Sequence, residues 1–70
     1  MDTDYFLSQS DTAKFLLVSE RTLERWRVTG DGPPFVKMSR RVAYRQSDLM
    51  KWTDARVFHS TTEAQQARAR

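Results

Sequence analysis

Arg21 and Arg25 stand four residues apart in the stretch SERTLERWRVTG, residues 19–30. Four residues is close to one helical turn, so on a helix the two guanidiniums share a face. A guanidinium is planar and permanently charged, and its fork of donors matches a phosphate or the acceptor edge of a base. Lys37, Arg40 and Arg41 follow within FVKMSRRVAY, residues 35–44. Groups of this kind recognise a polyanion; they do not make or break bonds. The charge is placed accordingly. The net charge is only +3, but residues 1–19 carry −2, residues 20–45 carry +4 and residues 46–70 carry +1. On charge alone, a local basic field suits a polyanionic partner and a merely soluble basic surface equally well.

Other chemistries lack their residues. Without cysteine the chain has neither a disulfide nor a Cys-based zinc site, and its single histidine, His59, is too few for a His-built metal site. There is no glycine-rich phosphate loop and no Ser/His/Asp constellation. The expectation is no enzyme, no metal, no cofactor and no small-molecule ligand. Glu20, Glu24 and Asp31 stand beside arginines, and ion pairing is their simplest role. At 70 residues the chain is one domain with a small core. No apolar run approaches the ~18 residues of a membrane span. The acidic start, MDTDYFLSQSD, lacks a signal pattern. These features imply a soluble cytoplasmic protein without a membrane partner.

The positioning elements follow from caps and periodicity. In LSQSDTAKFLLV, Ser8 and Asp11 are spaced as a capping box, and Ala13, Leu16 and Leu17 recur at helical spacing, predicting a helix over about 9–16. Ser19 is a good N-cap, Glu20 complements the dipole and Gly30 is placed as a C-terminal cap, predicting a second helix over about 20–29. Two prolines force an extended entry to a hairpin over about 35–44, with FVK and VAY as strands around a basic tip. In SDLMKWTDAR, Ser47 can cap a third helix over about 48–56, with Leu49, Trp52 and Thr53 on one face. The domain thus spans 6–56, and the polar segment 57–70 reads as disordered or weakly helical.

On the second helix, Arg21, Glu24, Arg25 and Val28 cluster on one side and Thr22, Leu23 and Trp26 on the other, with Arg27 at the boundary. The apolar side must pack, and Leu7, Ala13, Leu16, Val18, Phe35, Val42, Tyr44, Leu49 and Trp52 are its expected partners. Trp26, Trp52 and Tyr44 read as core rather than as base-stacking residues. Phe15 falls off the Ala13/Leu16 face, open to the third helix or to another molecule. An outward face with two arginines suits the DNA major groove, where Arg can bond guanine O6 and N7 and Glu24 can accept from cytosine N4 or orient a neighbouring arginine. Ser19, Thr22 and the free amides of the first turn can hold a phosphate, and Arg40 and Arg41 can reach the backbone or a minor groove. A solvated, ion-paired Arg/Glu face is the plainer account of one such helix. Two helices with a tight turn, an arginine pair on the second and a basic hairpin next favour DNA.

The segments VSERTLERW, GDGPPFVK, RRVAYR and SDLMKW, within residues 6–55, resemble the winged helix-turn-helix domain of MerR-like small proteins. These include excisionases (recombination directionality factors) and AlpA-type regulators. The resemblance implies a mainly α fold of three short helices plus a small β-hairpin wing. It implies a recognition helix at 20–29, with Ser19, Glu20, Arg21, Thr22, Glu24, Arg25 and Val28 at the DNA, and a wing with Lys37, Ser39, Arg40 and Arg41 on the backbone or minor groove. Leu17 and Ser39 depart from the pattern where many relatives have glycine, and Arg27 departs where many are apolar. Excisionases of this type bind adjacent sites cooperatively, bend DNA and so direct an integrase. The implied partners are double-stranded DNA, further copies of the chain and an integrase, in a bacterial, nucleoid-associated setting. Phe15 and the tail are candidate contacts for a neighbouring copy or the integrase. A transcriptional regulator with the same fold is the second reading, and length slightly favours the excisionase. A protein-interaction module is the third, and it leaves the arginines with nothing to meet.

Overall fold

The computed structural model describes residues 5–68. In chain order the elements are β1 (Phe6–Ser8), α1 (Gln9–Leu16), α2 (Glu20–Thr29), β2 (Val36–Met38), β3 (Arg41–Arg45), α3 (Gln46–Asp54) and α4 (Thr61–Arg68). None of these helices is long and apolar enough to cross a membrane.

Both N-terminal helices begin and end where their local signals place them. Ser8 Oγ accepts the Asp11 amide at 3.1 Å, satisfying one of the free donors of the first turn of α1. Ser19 Oγ does the same for the Thr22 amide at 3.1 Å at the start of α2. Gly30 closes α2 in the left-handed region (φ 81°), and its amide donates to Trp26 O at 2.7 Å. Leu17 closes α1 in the same region (φ 61°, ψ 38°), with its amide directed at Ala13 O and Lys14 O. Leu17 and Ser39 (φ 58°) are the non-glycine residues of positive φ among those described. They are also the two positions at which the family resemblance implies glycine, so the left-handed backbone is kept here without it.

The expected hairpin is present, with Val36 opposite Ala43, Lys37 opposite Val42, Met38 opposite Arg41, and Ser39–Arg40 as the turn. Its strands are VKM and RVAYR, one residue later at each outer end than the FVK and VAY pattern implies. A third strand joins it that no local signal predicts. β1 pairs antiparallel with β3, Leu7 opposite Tyr44, so β3 becomes the central strand in the order β1-β3-β2. This pairing changes the start of the third helix. Gln46 donates its amide to Tyr5 O at 2.8 Å, and the chain turns directly from β3 into α3, two residues earlier than Ser47 capping would allow. Arg45 occupies the cap position without a capping side chain, and its Nε lies 3.4 Å from Asp48 Oδ2.

Ala13, Leu23, Tyr44 and Leu49 form the buried centre, with Leu7, Leu16, Val18, Trp26 and Val42 packed around it. Thr12 is fully buried, and its hydroxyl donates to Ser8 O at 2.7 Å, so its polar atom is satisfied. Trp26 and Trp52 meet at 5.5 Å between ring centroids, and Arg56 covers the Trp52 ring at 3.9 Å. Gly32 lies against Trp26: a Cβ there would come within 2.8 Å of Trp26 Cβ. Two residues of the apolar pattern are not buried. Leu17 is 90% exposed because the left-handed turn directs it off the Ala13/Leu16 face, and Phe35 is 41% exposed at the sheet margin, its ring 6.3 Å from Tyr44.

The segment after α3 contains α4, opened by a reciprocal cap: the Glu63 amide donates to Ser60 Oγ at 3.1 Å and the His59 amide to Glu63 Oε1 at 2.7 Å. Ala69 and Arg70 of the expected tail lie outside the described residues. The whole is a mainly helical fold with a small antiparallel sheet, the winged helix-turn-helix arrangement.

Candidate nucleic-acid interface

α2 separates its faces as its period dictates. Leu23 is buried and Thr22, Trp26 and Arg27 are half-buried, while Glu20, Arg21, Glu24, Arg25 and Val28 are exposed, Val28 at 86%. An apolar residue that exposed lies on the outer face and contributes nothing to the core, and such a side chain can meet a thymine methyl. Ser19 and Thr22 occupy the N-terminal end. Ser19 Oγ takes the Thr22 amide, and the two hydroxyl oxygens are 2.9 Å apart.

Arg27, on the same helix, does not belong to this face. Its Nη1 donates to the Tyr44 hydroxyl at 2.9 Å, and its guanidinium lies 5.8 Å from the Phe35 ring centroid. It lies along the edge of the core, beside Tyr44 and Phe35.

On the hairpin, Lys37, Ser39, Arg40 and Arg41 are all exposed. Lys37 is on β2, Ser39 and Arg40 form the turn, and Arg41 begins β3. The left-handed Ser39 sets the two-residue connection that places three cations within five residues.

The expectation that Glu20, Glu24 and Asp31 pair with arginines is not met. Among the described residues the one ion pair is Arg45–Asp48. Asp31 Oδ2 accepts from Thr29 Oγ1 at 2.8 Å instead. Glu20 and Glu24 both accept from Gln9 of α1, whose Nε2 lies 2.9 Å from Glu20 Oε1 and 3.0 Å from Glu24 Oε2. An amide with two donor hydrogens bridges two like charges that would otherwise repel across one turn. The side chains of Arg21, Arg25, Lys37, Arg40 and Arg41 consequently have no hydrogen-bond or ionic partner among the described residues.

Gln9 is the site residue that sequence reasoning missed. Nothing in local spacing connects residue 9 with residues 20 and 24; the angle between α1 and α2 does. Among the described residues no group of three His, Cys, Asp or Glu side chains is placed to hold a metal. The exposed arrangement offers forked donors, the carboxylates of Glu20 and Glu24 and a helix N-terminus, which together can bind phosphates and read base edges. Phe15, 49% exposed, stands on α1 away from the buried centre.

A family model described as a helix-turn-helix domain matches residues 6–57. No curated protein matches the chain at a significant level.

Proposed function

The chain belongs to the helix-turn-helix domain family, a DNA-binding family that contains excisionase-like proteins, and from that premise we propose a sequence-specific architectural DNA-binding protein of the excisionase type. In this reading α2 enters the major groove. Arg21 and Arg25 bond base edges or adjacent phosphates, Glu24 accepts from a base amino group, Val28 supplies an apolar contact, and Ser19, Glu20 and Thr22 border the phosphate at the helix N-terminus. Lys37, Ser39, Arg40 and Arg41 of the wing lie on the backbone or in the adjacent minor groove.

One observation carries the proposal: five exposed cations, on α2 and on the wing, have no partner among the described residues. A solvated ion-pair surface would engage its arginines with its own carboxylates; here the carboxylates of α2 are held by Gln9. Unpaired arginines keep their full charge and donor set for an external polyanion. A domain this small contacts few phosphates, so single copies bind weakly and adjacent copies load cooperatively. Bending the DNA costs on the order of a few kcal/mol, which several copies share. The bent assembly then directs an integrase toward excision, in the manner of the MerR-like excisionases that the sequence resembles.

The test is a gel-shift titration over the DNA surrounding the coding gene, with competitor DNA and a parallel bend assay. Stepwise cooperative shifts with bending beside an attachment site are expected. A single unbent shift at a promoter would assign the chain to transcription regulation of the AlpA type. Absence of any shift at low salt would remove DNA from the reading and favour a protein-interaction module.

A further inference from the structure

Resting on the reading of α2 as the DNA-facing helix, we infer that Gln9 is a specificity-determining positioning residue, acting through Glu24. Gln9 opens α1, and its backbone is held from two sides. Ser8, immediately before it, is paired with Ala43 of β3 and caps α1 through Asp11. The buried Thr12 hydroxyl bonds Ser8 O at 2.7 Å one turn later. The side chain therefore projects from a fixed base toward α2, half-buried between the helices.

Its two amide hydrogens are fully used, one on Glu20 Oε1 at 2.9 Å and one on Glu24 Oε2 at 3.0 Å. The opposite amide orientation would set Gln9 Oε1 against two carboxylates, so chemistry selects the donor orientation. Three consequences follow. Glu24 is restricted to one placement, with Oε1 left to accept from a base amino group. The Glu24–Arg21 pair, three residues apart and within reach on a helix, does not form. Arg21 and Arg25 thereby remain available as donors. A carboxylate free to rotate would bond its own arginine as readily as a base, and both would lose discrimination.

Gln9 thus determines which base is read, without a base contact of its own. Gln9→Met has a similar length and no donors. In selection from a randomised duplex library, Glu24→Met marks the base position that Glu24 reads. Gln9→Met should lose about tenfold preference at that same position, with any further loss confined to the base that Arg21 reads. Its affinity for unrelated DNA and its melting temperature should stay near wild type, and the double variant should be no worse than Glu24→Met alone. Wild-type preference retained in Gln9→Met would overturn the inference, as would a loss spread evenly over the site, which marks mere helix packing. A second readout needs neither DNA nor a folded Gln9 variant. The side-chain amide resonances of Gln9 in the free wild-type protein should move on Glu24→Met, and unmoved resonances would overturn the clamp itself. A wild-type protein without sequence preference would instead overturn the proposed function, while leaving the clamp measurable by these resonances.

Discussion

Arg27 Nη1 donates a 2.9 Å hydrogen bond to the Tyr44 hydroxyl, joining the last turn of α2 to the central strand of the sheet. Tyr44 is almost wholly buried, and its polar end would lack a partner without this bond. The bond sets the seam between the helix that carries Arg21 and Arg25 and the strand that continues the wing. Placement of the two cationic groups relative to one another thus depends on a residue that is itself cationic and faces inward.

Tyr44→Phe removes the acceptor and keeps the ring. We expect a loss of ~1 kcal/mol, because the guanidinium can still reach water at the domain edge. In a domain of this size that lowers the melting temperature by about 4–8 °C. Thermal unfolding followed by circular dichroism reads the shift; an unchanged midpoint would show that the seam does not depend on the bond.

Leu17→Gly should stabilise the protein. Leu17 is almost entirely exposed and holds a left-handed backbone, so its side chain contributes no burial while its Cβ is strained against the carbonyl. Relief of that strain, partly offset by the added freedom of glycine when unfolded, leaves a gain of ~0.5–1 kcal/mol. A urea midpoint that rises with an unchanged slope supports this, and a lower midpoint would point to a role for the leucine side chain that the fold does not reveal.

Arg25→Ala should weaken binding by roughly 1–3 kcal/mol and relax the preference at one base position, provided the interaction is bidentate. Binding measured against a panel of single-base variants of the selected site distinguishes this from a phosphate interaction, whose removal would weaken every duplex equally.

Replacing Arg40 and Arg41 together by alanine tests the wing. Both are exposed and without partners among the described residues, so folding should be unaffected. Affinity for all sequences should fall, and the slope of log affinity against log salt should decrease in magnitude by about 2, one for each phosphate no longer neutralised. Equal slopes for variant and wild type would detach the wing from the DNA backbone.

The bounds of α1 and α2 were legible in the sequence because their determinants are local. Ser8, Ser19 and Gly30 act on amides and carbonyls within one turn of themselves. The division of α2 into a buried Leu23 and exposed Arg21 and Arg25 is equally local, since it follows from the helical period alone. The hairpin was legible from prolines and β-branched residues, and its turn only in outline.

What tertiary structure decided concerns residues far apart in the chain. β1 is three residues long and carries no periodic signal; it is a strand because residues 6–8 meet residues 43–45. That pairing moved the start of α3 to Gln46, overriding the capping signal of Ser47, since strand and helix share the Arg45–Gln46 junction. Leu17 reads as part of an apolar stripe, yet the need to turn between two helices places it in solvent. Glu20 and Glu24 read as partners of the neighbouring arginines, yet a glutamine eleven and fifteen residues away holds them. Sequence by itself determined the elements, their faces and the excess of positive charge, because caps, periods and composition act over a few residues. Which of those charges remain free for a partner was decided only when α1 packed across α2, because hydrogen bonding between side chains depends on distance in space and not along the chain.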